Sequence, residues 1–362
     1  MTRAAEADPA HVSGPAPSGQ KLFTDEESRS LVRRSTLRGV LYCLVDVAVL
    51  AALLAGALLA EHLLVQLVLS VAAGVMIGVL FVVGHDAAHQ SLTDSRTMNY
   101  VLGQVALLPA LHPFSFWVKV HNQTHHRWTN LSPQDYVWTP LSQEGYERLT
   151  PWGRAAYRFY RGPLGPLGYY LIEFWGRRIF MPSAAENGRY TKPQVKDTAV
   201  VLAAAVAYAA FLGAGGGGEW FGAGKAWWNA PLFGFVVPFF VWNTLMSLVI
   251  YLHHTHPELT WYDDQAEWKR DASQLESSVH VIFPGPINGF FHWIMEHSAH
   301  HVRPAIPLYH LPEAQRIIEE RAPGRVIVFR WTVAGHLEVV RRCKLYDYRA
   351  KRWMDFAGSY TT

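Results

Sequence analysis

Four long apolar runs constrain this chain more than any other feature. Residues 40–60 (VLYCLVDVAVLAALLAGALLA) carry one charge, Asp46, and residues 63–84 (LLVQLVLSVAAGVMIGVLFVVG) carry none. Residues 197–216 and 231–252 form a second pair of the same kind. Each run is about 20 residues, and a helix of that length, rising ~1.5 Å per residue, crosses a hydrocarbon core ~30 Å thick.

The runs also predict an orientation. Only Glu61 and His62 separate the first two, which makes a tight hairpin. Arg29, Arg33, Arg34 and Arg38 precede it, so the positive-inside rule puts the N-terminus in the cytoplasm and the hairpin turn on the far side. The second pair, joined by a Gly- and Trp-rich loop, repeats the excursion. The segment between the hairpins holds Arg154, Arg158, Arg161, Arg177, Arg178 and Lys196, as a cytoplasmic segment should. A further apolar stretch, residues 100–114, is too short and too Pro-broken to span and fits a re-entrant or interfacial element. The first 37 residues are rich in Ala, Pro, Gly, Ser and charge and lack the apolar core of a secretory signal, so they read as a flexible tail.

The expected fold is therefore an all-α membrane protein with four transmembrane helices in two hairpins and a cytoplasmic helical cap. Its parts are a tail (1–37), hairpin one (38–84), an interfacial segment (85–196), hairpin two (197–252) and the cap (253–362), with both termini cytoplasmic. Composition agrees, at 50% hydrophobic and only 17% charged. A net charge of +3 argues against nucleic acid as a partner. Cys43 and Cys343 lie far apart and show no CxxC spacing, so neither a disulfide framework nor a thiolate metal site is suggested.

Eighteen histidines are the anomaly. Immediately after the second run, GHDAAHQS places His85 and His89 four residues apart, one turn on one face if the helix continues. VHNQTHHRWTN adds His121, His125 and His126. YLHHTHPEL, after the fourth run, adds His253, His254 and His256, and MEHSAHHVRP adds His297, His300 and His301. The topology, derived without reference to histidine, brings every cluster to the same membrane face. Packing does not explain this, because buried imidazoles need partners and clustered exposed ones repel when protonated. Neutral imidazole is the commonest metal ligand. Eight or nine ligands exceed what one ion takes, which argues for two metals. Structural zinc would close four-coordinate sites with fewer ligands, so a two-iron centre with positions open for oxygen fits better.

These motifs resemble those of the integral-membrane fatty acid desaturases: HDAAH (85–89), HNQTHH (121–126) and HSAHH (297–301) are similar to that family's three histidine boxes. YLHHTHP (251–257) resembles a YLQHTHP motif of methyl-end acyl desaturases, and IPLYHLPEAQ (306–315) the segment following their third box. The second box here is HxxxHH, a longer spacing that also occurs in the family. The resemblance runs from about residue 80 to 320. It implies an oxygen-dependent di-iron enzyme that inserts a cis double bond into a fatty acyl chain. It also implies nine iron ligands: His85, His89, His121, His125, His126, His254, His297, His300 and His301. His253 stands where the related motif has Gln and competes with His254. Asp86, Asn122 and Glu296 are candidates to orient ligand rings, and His256, His292 and His310 are assigned supporting rather than coordinating roles. His11, His62, His112, His280 and His336 are read as structural.

An unactivated methylene C–H bond is beyond side-chain acids and bases, so the oxidant must come from metal and O2 as co-substrate. GAGGGGEW (213–220) is a poor phosphate loop and no other flavin or nicotinamide fingerprint occurs, which implies an external electron donor of ferredoxin or cytochrome type. Basic residues between 148 and 196 are candidates to dock it. The expected partners are a fatty acyl substrate, linked to lipid, CoA or carrier protein, and membrane lipid. A narrow apolar tunnel would set regiochemistry, with Phe114, Trp117, Trp128 and Trp293 as candidate lining. A hydroxylase, acetylenase or ketolase on the same scaffold is the nearest alternative. A metal transporter or haem protein would want more polar spans than Asp46, Gln66 and Asn243 supply.

Overall fold

The computed structural model describes residues 22–182, 190–216, 221 and 225–362. Residues 1–21 of the expected tail and residues 217–220 of the glycine-rich loop lie outside these. Among the described residues, four helices are long and apolar enough to cross a membrane: Thr36–Leu59, Leu63–Ala88, Lys192–Gly215 and Asn229–His254.

The segment expected to be a flexible tail is folded from residue 22 onward. Thr24 caps α1 (Asp25–Leu31) in a reciprocal capping box with Glu27. Glu27 also pairs with Arg321 at 2.6 Å, and Phe23 and Leu31 are buried beside Ile317 and Ile318. Charge and small residues in the sequence concealed two apolar anchors that dock α1 onto the C-terminal part of the chain.

Helix α2 (Thr36–Leu59) begins at a Ser35 cap, and α3 (Leu63–Ala88) follows after a three-residue turn and packs along it. Then come α4 (Arg96–Leu107) and a continuous helical run, α5, over residues 114–128, whose centre, Val118–His125, is π-helical. The apolar stretch at 100–114 thus does not span: it is the end of α4 and a turn at 108–113. Helix α6 (Lys192–Gly216) and α7 (Val237–His254) carry the third and fourth runs. Downstream lie α8 (His297–Val302) and α9 (Leu311–Arg321).

Helix α3 is the central pillar, with 61% of its apolar window buried against 17% for α6. Glycines explain its close approach to α7. A Cβ on Gly74 would lie 2.6 Å from the Pro238 carbonyl oxygen, and one on Gly78 2.9 Å from Leu245. Small residues on one helix face are what let apolar helices make backbone contact where lipid offers no hydrophobic drive. Several polar residues within the spans are paired: Gln66 and Asn229 exchange amide hydrogen bonds, Ser70 donates to the Phe233 carbonyl, and Asp46 accepts from His292 Nε2 at 2.7 Å.

Two departures from expectation follow from tertiary packing. The fold is mostly helical but not wholly so. Strands β1 (Val279–Ile282) and β2 (Ile327–Arg330) pair in parallel, and β3 (Leu345–Asp347) and β4 (Arg352–Met354) pair antiparallel. Arg161, counted among the surface cations of the cytoplasmic segment, is buried, donates to the Trp138 carbonyl at 2.5 Å and lies among the rings of Trp138, Tyr157 and Trp353.

Candidate metal centre

Four elements converge at one end of the spans. The C-terminal end of α3 extends past its apolar run and carries His85 and, at its cap, His89. Helix α5 carries His121, His125 and His126, the end of α7 carries His253 and His254, and α8 carries His297, His300 and His301.

The rings sort into two clusters. His85, His89, His121, His126 and His300 offer nitrogen atoms that all lie within 4.8 Å of one another, as do those of His125, His254, His297 and His301. These nine are the nine that the family resemblance implied. His253 belongs to neither cluster. Its ring stacks on His297 at 3.8 Å between centroids, with its Nε2 unpartnered.

Helix geometry explains the two box spacings. In α8, His297 and His301 are one α-turn apart and share a cluster, their Nε2 atoms 3.1 Å apart. In α5 the N–H of His126 bonds to the His121 carbonyl, a π-turn. His121 and His126, five residues apart, therefore share a cluster with Nε2 atoms 3.1 Å apart, while His125 faces the other. The extra residue of HxxxHH is absorbed by the wider turn, and such π-turns recur at functional sites.

The distances fit metal ions. Within the clusters, further Nε2 pairs are 3.1 Å (His125 and His254), 3.2 Å (His254 and His297) and 3.0 Å (His126 and His300) apart. Two imidazole nitrogens each ~2.1 Å from one ion and at right angles to it lie about 3.0 Å apart. The tautomers point the same way. His85 Nδ1 donates to Asp86 at 3.2 Å, His125 Nδ1 to Asp135 at 3.1 Å and His301 Nδ1 to Gln274 at 3.3 Å. With Nδ1 carrying the proton, each Nε2 presents a lone pair inward. Nε2 of both His85 and His89 is buried without any hydrogen-bond partner. Ring nitrogens converging in this way, with three of the Nδ1 protons held outward, suit a cation. Burial, reinforced by the neighbouring rings, holds His89, His121, His126, His297, His300 and His301 well below the usual histidine range, so they are neutral and able to ligate at pH 7.

The other named residues fall around this centre. One Asp86 oxygen accepts from His85 Nδ1, and its second oxygen accepts from the Leu308 N–H at 2.6 Å. Asn122 donates to the Ala88 carbonyl, tying α5 to α3, and Glu296 accepts from Asn288; neither holds a ring of the two clusters. His256 accepts from the Glu258 N–H near Phe329, outside the clusters. His292 is bound to Asp46, and His310 lies against Tyr309. His280, read as structural, donates to Glu319 at 2.5 Å. Sequence reasoning missed Asp135 and Gln274. Neither stands at a motif spacing from its histidine, and only the tertiary fold brings them there.

An apolar cavity opens from both clusters and runs between α3 and α7, lined by Phe81, Val82, Leu245, Met246, Val249 and Ile250 among others. Of the aromatic residues expected to line a tunnel, Trp117 does, stacked on His121 at 4.6 Å. Phe114 packs over Gly103, Trp128 against Trp268, and Trp293 against Gly289 instead.

Paired clusters of imidazoles able to hold metal ions lie at the mouth of an apolar cavity, where two helices long enough to span a bilayer meet two shorter ones, and this is the architecture of a histidine metal site at a membrane. Residues 61–333 match the family model described as Fatty acid desaturase, and the chain belongs to that family. It is 31% identical over 268 residues to the sn-1 oleoyl-lipid 12-desaturase of Synechocystis sp., covering 74% of this chain and 72% of the relative. It is 30% identical over 319 residues to the sn-1 acyl-lipid omega-3 desaturase (ferredoxin) of the same organism, covering 84% and 83%. The chloroplastic omega-6 fatty acid desaturase of Arabidopsis thaliana is 27% identical over 266 residues, covering 74% of this chain and 56% of that one. The chain is thus a membrane protein and an oxidoreductase, a fatty acid desaturase.

Proposed function

We propose that this desaturase is an oxygen-dependent di-iron enzyme that introduces a cis double bond into the acyl chain of a membrane lipid. One iron is held by His85, His89, His121, His126 and His300, the other by His125, His254, His297 and His301. The observation that carries this reading is the convergence of histidine ring nitrogens into two groups at the mouth of an apolar cavity. Reduced iron with dioxygen supplies an oxidant strong enough to take hydrogen from an unactivated methylene.

The chain's own residues supply placement. The cavity walls exclude water and hold an acyl chain that offers no polar handle, so that the same carbons face the clusters at each turnover. Asp86, Asp135 and Gln274 fix the ring orientations and keep the Nδ1 protons away from the metal side.

The clusters and both termini lie on the cytoplasmic side. Helices α2 with α3 and α6 with α7 form the two hairpins, and residues 85–196 and 253–362 form the cap. A lipid-linked acyl chain is favoured over CoA or carrier-protein linkage by the names of the relatives, which are acyl-lipid desaturases. Electrons come from an external carrier, and one relative is named for ferredoxin. The exposed basic residues between 148 and 196 dock that carrier. Arg161 is buried and is not among them.

Lipids from cells expressing the protein decide the reading. Acyl chains that have lost two hydrogens support it. Chains that have gained one oxygen place the enzyme with the hydroxylases instead.

A further inference from the structure

The acyl cavity stops short of a second one. Along α7, about 18 Å of helix separates His254 at the clusters from Trp242 at the far end of the first cavity, at ~1.5 Å per residue. Beyond lies an apolar cavity of about 540 Å³ that shares no lining residue with the first. At three places a residue lining one cavity lies within a few residues of, or one hydrogen bond away from, a residue lining the other. Gly78 lines the first and Ile77 the second; Trp242 lines the first and Phe239 the second. Leu111 lines the second, and its neighbour His112 holds Tyr170, which lines the first. A thin wall therefore divides them.

Trp242 is the centre of that wall. It is fully buried, and its ring lies 5.6 Å from Phe81, 5.1 Å from His112, 5.6 Å from Tyr170 and 5.7 Å from Phe239, centroid to centroid. A hydrogen-bonded pair braces it. His112 Nδ1 donates to the Ala110 carbonyl at 2.7 Å, which leaves Nε2 to accept the Tyr170 hydroxyl proton at 2.9 Å. Both rings are buried, so the pair is held in one geometry, and Tyr170 cannot swing aside without stranding two polar groups.

We infer that Trp242, braced by the His112 and Tyr170 pair, is the stop against which the methyl end of the acyl chain rests, and that it sets the longest chain accepted. An apolar wall gives the acyl chain no grip along its length, so a steric end is how the cavity itself fixes which carbons lie beside the clusters. The inference rests on the acyl reading of the first cavity and adds the residue that ends it. The second cavity is spare length, closed by Trp242 and reached when that ring is cut down.

The test measures products from host cells supplied with acyl chains of graded length. The quantity read is the ratio of product from chains two carbons longer than the preferred one to product from the preferred one. W242A raises that ratio at least about tenfold, the scale on which an apolar pocket discriminates single methylenes. A205F, which fills the second cavity from α6, leaves the ratio of the unaltered protein unchanged and reverses the gain in the W242A/A205F double variant. If W242A does not accumulate, W242L, which keeps bulk but shortens the wall, carries the same expectation. An unchanged ratio in a W242 variant that accumulates with normal metal content overturns the inference. So does A205F alone reducing product from the preferred chain, since the native chain would then already pass the wall. Absence of any desaturated product from the unaltered protein overturns instead the acyl reading on which the inference stands.

Discussion

Asp135 receives a hydrogen bond from His125 Nδ1 at 3.1 Å while the Nε2 of the same ring faces His254 Nε2 at 3.1 Å. The carboxylate is fully buried, and its other oxygen accepts from the Asn130 N–H at 3.0 Å. One carboxylate thus sets the tautomer and the aim of a proposed ligand in the four-histidine cluster. D135N keeps the shape and removes the charge. It should weaken iron binding by roughly 10–100-fold, the usual consequence of losing such a partner. Competition with a graded chelator measures this, and unchanged retention would contradict the role.

Asp86 ties the other cluster to the segment after the third box, since one oxygen accepts from His85 and the other from the Leu308 N–H. D86A leaves a buried backbone N–H unsatisfied as well as freeing the ring. The expected loss is about 1–3 kcal/mol of stability from the stranded donor alone, read as a lower Tm of the metal-free protein. A metal-free Tm equal to that of the unaltered protein would count against the tie.

His253 and His254 separate cleanly. His254 Nε2 lies 3.1 and 3.2 Å from His125 and His297, whereas His253 only stacks on His297. H254A should lose iron from the four-histidine cluster, while H253F, which keeps a flat ring for the stack, should retain both irons. The opposite pattern in iron content would reassign the ligand.

Acid should destabilise the metal-free protein. Burial holds His121, His126, His297, His300 and His301 neutral, with pKa values well below the ordinary histidine value. Below about pH 6.5 the unfolded chain takes up protons that the folded rings refuse, so stability falls with pH by up to ~1.4 kcal/mol per pH unit for each ring. Above that value neither state titrates at these groups. Thermal unfolding across this range should show a Tm that is level above about pH 7 and drops below 6.5; a Tm that rises on acidification would contradict the burial.

Much of this architecture is legible in the chain. The apolar runs mark the spans, because length and lack of charge are local properties, and every helix end falls within about five residues of the run's end. The histidine spacings mark the site for the same reason: a turn of helix is a short-range rule. What escapes is everything set by tertiary contact. Asp135 lies ten residues past its histidine across an irregular loop, Gln274 reaches His301 from a distant segment, and His292 finds Asp46 from 246 residues away. Arg161 carries every sign of a surface cation and is buried, because aromatic rings from three separate segments close around it. Nor does any local signal distinguish Trp242 from the other tryptophans. Its place at the end of the cavity appears only when α3, α5 and α7 are assembled.

Iron and protein quantified together in the purified enzyme put the central claim to its most direct trial. Two irons per chain are expected, falling to one when His126 or His301 is replaced by alanine, since each variant opens a different cluster. A single iron in the unaltered chain, or an iron content indifferent to both substitutions, would contradict the account.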